Sequence, residues 1–123
     1  MSNVDKHGSH IPYLIKAIEY CIGPTLELGI GFNSTPVVHW LSHYYRTKAE
    51  SYESDEKWIA NFKDYESDWH GIHHVKDWEK ENYEQVDRWG AVLIDQRPAL
   101  QRHRDAVKLA HRAEMVILHD TEP

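Results

Sequence analysis

Along the chain, apolar positions change rhythm several times, and each change marks a structural element. Ile11, Leu14, Ile15, Ile18 and Ile22 recur at intervals of three and four, the spacing of one helix face, and Gly23-Pro24 closes the run. The pattern predicts an amphipathic helix over 11 to 22. A first strand follows at once and ends in Glu27-Leu28-Gly29-Ile30-Gly31. Val37, Val38, Trp40, Leu41, Tyr44 and Tyr45 predict a second helix with a broad apolar face, its first residue Pro36 and its cap one of Asn33, Ser34 or Thr35. Lys48 to Glu53 reads as a short strand, and Asp55 as the cap of a helix carrying Trp58, Ile59, Phe62 and Tyr65. Ile72 to Lys76 is a weaker third strand and Trp89 to Ile94 a strongly apolar fourth. Ala99 to His111 is a helix with Ala99, His103, Ala106, Val107 and Ala110 on one side, and Glu114 to Leu118 is a fifth strand.

Short apolar strands separated by helices predict a parallel sheet, because parallel neighbours need crossover connections. The expected fold is α/β: one Rossmann-like three-layer domain spanning 1–123, a mostly parallel sheet of about five strands flanked by helices, with 1–10 flexible. In such sheets ligands bind beyond the carboxyl ends of the strands. Every predicted strand end here carries a carboxylate or lies beside one: Glu27, Glu53 with Asp55, Asp77, Asp95 and Asp120. The glycine turn is the most informative of these ends. Gly29 and Gly31 allow positive φ or the close approach of a ligand to bare backbone. A dinucleotide site wants a third glycine where Ser34 stands, and Glu27 would repel a phosphate but welcome an ammonium.

Leu26-Glu27-Leu28-Gly29-Ile30-Gly31 resembles the first motif of the class I S-adenosylmethionine-dependent methyltransferases, and three further stretches are similar to that family: Ser51-Tyr52-Glu53-Ser54-Asp55, Val92-Leu93-Ile94-Asp95 and Val116 to Thr121. The resemblance implies a transferase that uses S-adenosylmethionine to methylate a small acceptor, at oxygen. It places Glu27, Gly29 and Gly31 at the methionine end of the cofactor, Glu53 and Ser54 at its ribose, and Asp77 and Trp78 at its adenine. Asp95, His119 and Asp120 would face the acceptor, with a base among them; a divalent ion shared by Asp95 and Asp120 is the alternative source of activation. Two other readings use the same cofactor: a binding module or subunit without methyl transfer, and an enzyme that cleaves the cofactor. The family sheet has seven strands, whereas this chain to Pro123 accounts for five, so a short form lacking the last strands is expected. Its fifth strand would keep an apolar edge, which predicts self-association there.

Composition narrows the setting. A net charge of -6 and a pI near 5.9 argue against general nucleic-acid binding. The single cysteine, Cys21, makes no internal disulfide and fits a reducing compartment such as the cytoplasm. No run has the length of a membrane span, and the polar start lacks the apolar core of a signal peptide. The histidines are scattered. His73 and His74 would point to opposite strand faces, and His39 and His43, four apart on a helix, have no partnering carboxylate or cysteine in register, so no metal site is expected. Arg97, Arg102, Arg104, Lys108 and Arg112 make one side of the last helix basic, read as a solvated face.

Overall fold

The computed structural model describes residues 10–119. Its elements in chain order are α1 (Ile11–Tyr20), β1 (Thr25–Leu28), α2 (Ser34–Tyr44), β2 (Ala49–Glu53), α3 (Glu56–Ile59) running into a 3₁₀ turn (Ala60–Tyr65), β3 (His70–His74), β4 (Trp89–Ile94), α4 (Ala99–Leu109) and β5 (Ala113–Leu118). All pairings are parallel and the strand order is β3-β2-β1-β4-β5. The chain therefore has the expected α/β Rossmann-like arrangement, an open sheet with helices on both faces. Strand order reverses between β1 and β4, the place where such sheets hold ligands.

Alternation along β1 and β4 sends side chains to opposite faces. Leu26, Leu28, Val92 and Ile94 pack with Leu109 of α4 and with Tyr83 and Trp89. Ala91 and Leu93 pack with Leu14, Ala17 and Ile18 of α1 and Val38 of α2. A third cluster, Ile30, Ile59 and Phe62, sits beneath the α3 segment, where Asp55 caps as expected by accepting the Trp58 N–H at 3.1 Å. Among the described residues no helix is long and apolar enough to cross a membrane.

Several boundaries differ from the periodicity. The first helix ends at Tyr20, not 22, because Cys21 is extended and the Ile22 and Gly23 N–H groups turn to the Glu114 carboxylate. Gly23 then crosses Gly90 so closely that a Cβ on Gly90 would lie 2.4 Å from the Gly23 carbonyl oxygen. The second helix starts at Ser34, two residues before Pro36, and its expected apolar face divides: Val38 is buried with Val37 and Leu41 packed beside it, Trp40, Tyr44 and Tyr45 are exposed, and Ser34, Thr35, His39 and Ser42 are buried instead. Strand three runs two residues earlier than predicted. In α4 the buried line is Gln101, Asp105 and Leu109, not the alanine side; Val107 and His103 are exposed.

The charged stretch between β3 and β4 is held rather than free. Glu79 pairs with Arg104, Glu84 with Arg112 at 3.2 Å, and the Glu81 carbonyl accepts from Lys108 Nζ at 2.7 Å. The basic side of α4, read as a solvated face, is thus the dock for that acidic stretch.

Candidate functional site at the carboxyl ends of the strands

The glycine turn is built where the chain leaves β1. Gly29 has φ +91°, and a Cβ there would fall 2.6 Å from the Asp95 carbonyl carbon and oxygen, so only glycine lets the turn close against the end of β4. Gly31 is different. A Cβ there would meet only Ser34 Oγ, at 3.8 Å, and its N–H donates to Thr35 Oγ1 at 2.9 Å. Glu53, at the end of β2, reaches back to this turn: its Oε1 accepts the Ile30 N–H and its Oε2 the Asp55 N–H, each at 3.0 Å. Glu53 is only partly buried.

Glu27 takes the opposite position. Because Leu26 and Leu28 face α4, Glu27 faces α2, and it is fully buried. Three hydroxyls donate to its carboxylate: Ser34 at 2.6 Å, Ser51 at 2.7 Å and Thr35 at 3.0 Å. Burial raises its pKa to about 7 against the pull of these bonds, and the Asp95 charge adds to the rise. The first turn of α2 therefore rests on a carboxylate.

Beside the turn, Asp95 carries two cationic or polar partners. His119 Nδ1 donates to Asp95 Oδ1 at 2.9 Å, and Arg102 Nη2 lies 3.6 Å from the same oxygen while its Nε holds the Gln96 carbonyl at 2.7 Å. His119 continues strand β5 by donating its N–H to the Ile94 carbonyl at 3.0 Å. His119 Nε2 is buried and, among the described residues, has no hydrogen-bond partner. His10 stands edge-on to it, ring centroids 4.3 Å apart, and both His10 nitrogens are buried with no partner among the described residues. Burial, then the His119 charge, lower the His10 pKa, partly offset by Asp95. The Asp95 carboxylate thus orients the His119 ring, and His10 packs edge-on against it.

The predicted site residues thus fall into groups. Gly29, Glu53, Asp95 and His119 gather at the carboxyl ends of β1, β2, β4 and β5, with Gly31 in the turn after β1; Glu27 is buried within β1. Ser54 is partly buried there, and its carbonyl accepts from His74 Nε2 at 3.1 Å. Asp77 and Trp78 are placed otherwise. Asp77 is exposed and accepts the Glu79 N–H, whereas Trp78 is buried in the α4-side cluster with its Nε1–H on the Arg97 carbonyl at 3.1 Å, so its ring presents no open face. Asp120 lies outside the described residues.

The sequence reading missed His10, Gln96 and Arg102. His10 stood in a stretch taken as flexible, and its partner is contributed by the far end of the chain. Among the described residues no group of three or more His, Cys, Asp or Glu side chains is placed to hold a metal ion. Two concavities lie away from the strand ends: one of about 450 Å³ beside His43, Arg46, Lys48 and Trp69, and an apolar one of about 330 Å³ between α1 and α2. Compared with protein-family models, curated proteins and solved structures, the chain matches none.

Proposed function

We propose that the protein binds S-adenosylmethionine at the β1–β4 crevice and methylates an oxygen of a small acceptor. The observation that carries this reading is the Glu27 carboxylate under the first turn of α2. A helix N-terminus ordinarily attracts anions through its free N–H groups and its dipole. Here the buried carboxylate, once ionised above about pH 7, offsets that field, and Thr35 already occupies the Gly31 N–H. Pyrophosphate is disfavoured at such a turn and a cationic, zwitterionic ligand is favoured.

The cofactor supplies a methyl group on a positively charged sulfur. The chain's part is positioning and proton handling. Glu53 accepts the ribose hydroxyls, and Gly31 admits the ligand against backbone. Asp95 holds the His119 ring so that Nε2 takes the proton from the acceptor hydroxyl. Methyl transfer to oxygen needs this step because the neutral hydroxyl is a weak nucleophile. A binding protein without chemistry is the second reading, favoured by the closure of His119 Nε2 from solvent.

Melting temperature is the test. Saturating S-adenosylmethionine or S-adenosylhomocysteine is expected to raise it, since ligand at ~100 times its Kd stabilises by roughly 2.7 kcal/mol. NAD is expected to leave it unchanged, and Glu53→Ala to weaken the sulfur ligands by about 2 kcal/mol. No shift with either sulfur compound removes the proposal. Accumulation of S-adenosylhomocysteine only when an acceptor is present separates the transferase from the binder.

We also propose self-association through β5, an edge strand on which Met115 is 43% and Leu118 40% exposed. Sedimentation at micromolar concentration should show a dimer that Leu118→Lys dissociates; a monomeric parent protein ends this part of the proposal.

A further inference from the structure

An unbroken line of polar side chains runs inside the protein from beneath the glycine turn to the far side of α2. Glu27 Oε1 is 2.7 Å from Ser51 Oγ, Ser51 Oγ is 2.7 Å from His70 Nε2, and His70 Nδ1 is 3.0 Å from His39 Nδ1. Register explains the line: Ser51 sits directly opposite Glu27 across β1 and β2, and His70 enters from β3 two residues towards the strand start from Ile72, which faces Ser51. Exposure along the line is 0, 0, 1 and 3%. His39 ends the line, with the highest exposure of the four, and lies among Trp40, Tyr65 and Trp69.

Buried polar groups are tolerated only when each donor meets an acceptor. Two arrangements of protons satisfy this line. With Glu27 ionised, His39 Nδ1–H donates to His70 Nδ1, His70 Nε2–H donates to Ser51, and the Ser51 hydroxyl donates to Glu27. With Glu27 protonated every bond reverses: Glu27 donates to Ser51, Ser51 to His70 Nε2, and His70 Nδ1–H to His39 Nδ1, leaving the His39 proton on Nε2. The two states differ by one proton and by the direction of three hydrogen bonds, with the heavy atoms in place.

We infer that Ser51, His70 and His39 are a proton wire through which Glu27 exchanges its proton with solvent while the glycine turn stays closed. A proton arrives at His39 Nε2. His39 passes its Nδ1 proton to His70 Nδ1, His70 passes its Nε2 proton to Ser51 Oγ, and Ser51 passes its hydroxyl proton to Glu27 Oε1. One proton enters, one negative charge disappears from Glu27, and both imidazoles finish neutral in the other tautomer.

The surroundings suit a conductor rather than a store. Burial, with the charges of His39 and His73, lowers the His70 pKa to about 4, so His70 holds no extra proton near neutrality. Burial and the His43 charge lower His39 in the same direction. Glu27, at about 7, is the group that changes charge, faced by Asp95 from β4 and by the Ser34 and Thr35 hydroxyls from α2. His73 is itself engaged by Glu50 at 2.6 Å.

The inference goes beyond the proposed function and is tested without any ligand, so the two fail separately. Histidine ¹⁵N resonances of the free protein should show His70 changing from the Nδ1–H to the Nε2–H tautomer as pH rises through about 7, in step with the Glu27 carboxyl ¹³C signal and without an imidazolium signature. Ser51→Ala should uncouple the histidine tautomers from Glu27, and Ser51→Thr, which keeps the hydroxyl, should restore the coupling. Glu27→Gln should freeze both tautomers over the same range. A His70 tautomer that stays constant in the parent protein overturns the wire, as does a tautomer change that survives Ser51→Ala or Glu27→Gln. Should Ser51→Ala not fold, the parent and Glu27→Gln spectra decide the question.

Discussion

Glu27 and Asp95 lie on adjacent strands near the same ends, yet the fold treats them as opposites. Glu27 is sealed under α2, satisfied by neutral hydroxyls, and raised to a pKa of about 7 chiefly by burial. Asp95 is partly open and engages His119 and Arg102. Hydroxyls satisfy a carboxylate's lone pairs without offsetting the loss of hydration. A buried carboxylate held only by hydroxyls therefore becomes a group whose charge can change near neutrality. A carboxylate beside an imidazole instead fixes that ring's tautomer and direction. One residue sets local charge, the other aims a base.

The largest effect that would sharpen this contrast is on turnover. If Asp95 aims His119, then His119→Ala is expected to lower kcat by about 100-fold or more, the usual contribution of a general base, with little change in cofactor affinity. Asp95→Asn should lower kcat in the same sense. Steady-state kinetics decides it, and an unchanged kcat in His119→Ala would dissolve the contrast.

Next in size is the turn that separates the two residues. Gly29→Ala combines a left-handed φ with a Cβ pressed into the Asp95 backbone, and is expected to destabilise by about 3 kcal/mol or more. Gly31→Ala has open space and should stay within about 0.5 kcal/mol. Urea unfolding of the two variants gives the comparison; equal losses would mean that the crossing against β4 is not what demands glycine.

The third test concerns the sealed carboxylate. Between pH 4.5, its ordinary pKa, and about 7 the folded state keeps a proton on Glu27 that the unfolded chain has released. Raising pH through that window therefore removes stability, and above it the penalty is complete. His70 acts oppositely: its pKa falls from 6.5 to about 4, so the fold gains stability as pH rises through that interval. The two slopes offset each other over their overlap. Glu27→Gln removes only the first, so its advantage over the parent should grow from near zero at low pH to on the order of 3 kcal/mol above pH 7. Denaturation midpoints across pH measure this, and a variant less stable than the parent at high pH would show the hydroxyl cage to be worth more than the burial it accompanies.

Much of the architecture was legible because it depends on local rhythm. The apolar run Trp89–Ile94 gave β4 to the residue, Asp55 gave its helix start, and the alternation of strands and helices gave a parallel sheet. The errors have a common cause. The broad apolar face expected of helix α2 divides: Val38 is buried against Ala91 and Leu93, Trp40, Tyr44 and Tyr45 are exposed, and the buried side is completed by Ser34, Thr35, His39 and Ser42, matching Glu27, Ser51 and His70 on β1, β2 and β3. A signal for this was present: if Leu26 and Leu28 share a face, Glu27 must lie on the other.

The amino-acid sequence by itself determined the order and type of the elements, the glycine turn and the ring of carboxylates at the strand ends, since these follow from spacing, chain reversal and capping within a few residues. Tertiary structure alone decided what each carboxylate became. Glu27 meets Ser51 only because β1 and β2 pair in that register, and Asp95 meets His119 only because β5 lies beside β4. The acidic stretch before β4 found its cations on α4 in the same way, across a sequence separation of 25 residues for Arg104 and Glu79. Local pattern carries no information about which distant side chain will remove a buried charge from water, and that partner is what sets the chemistry of the site.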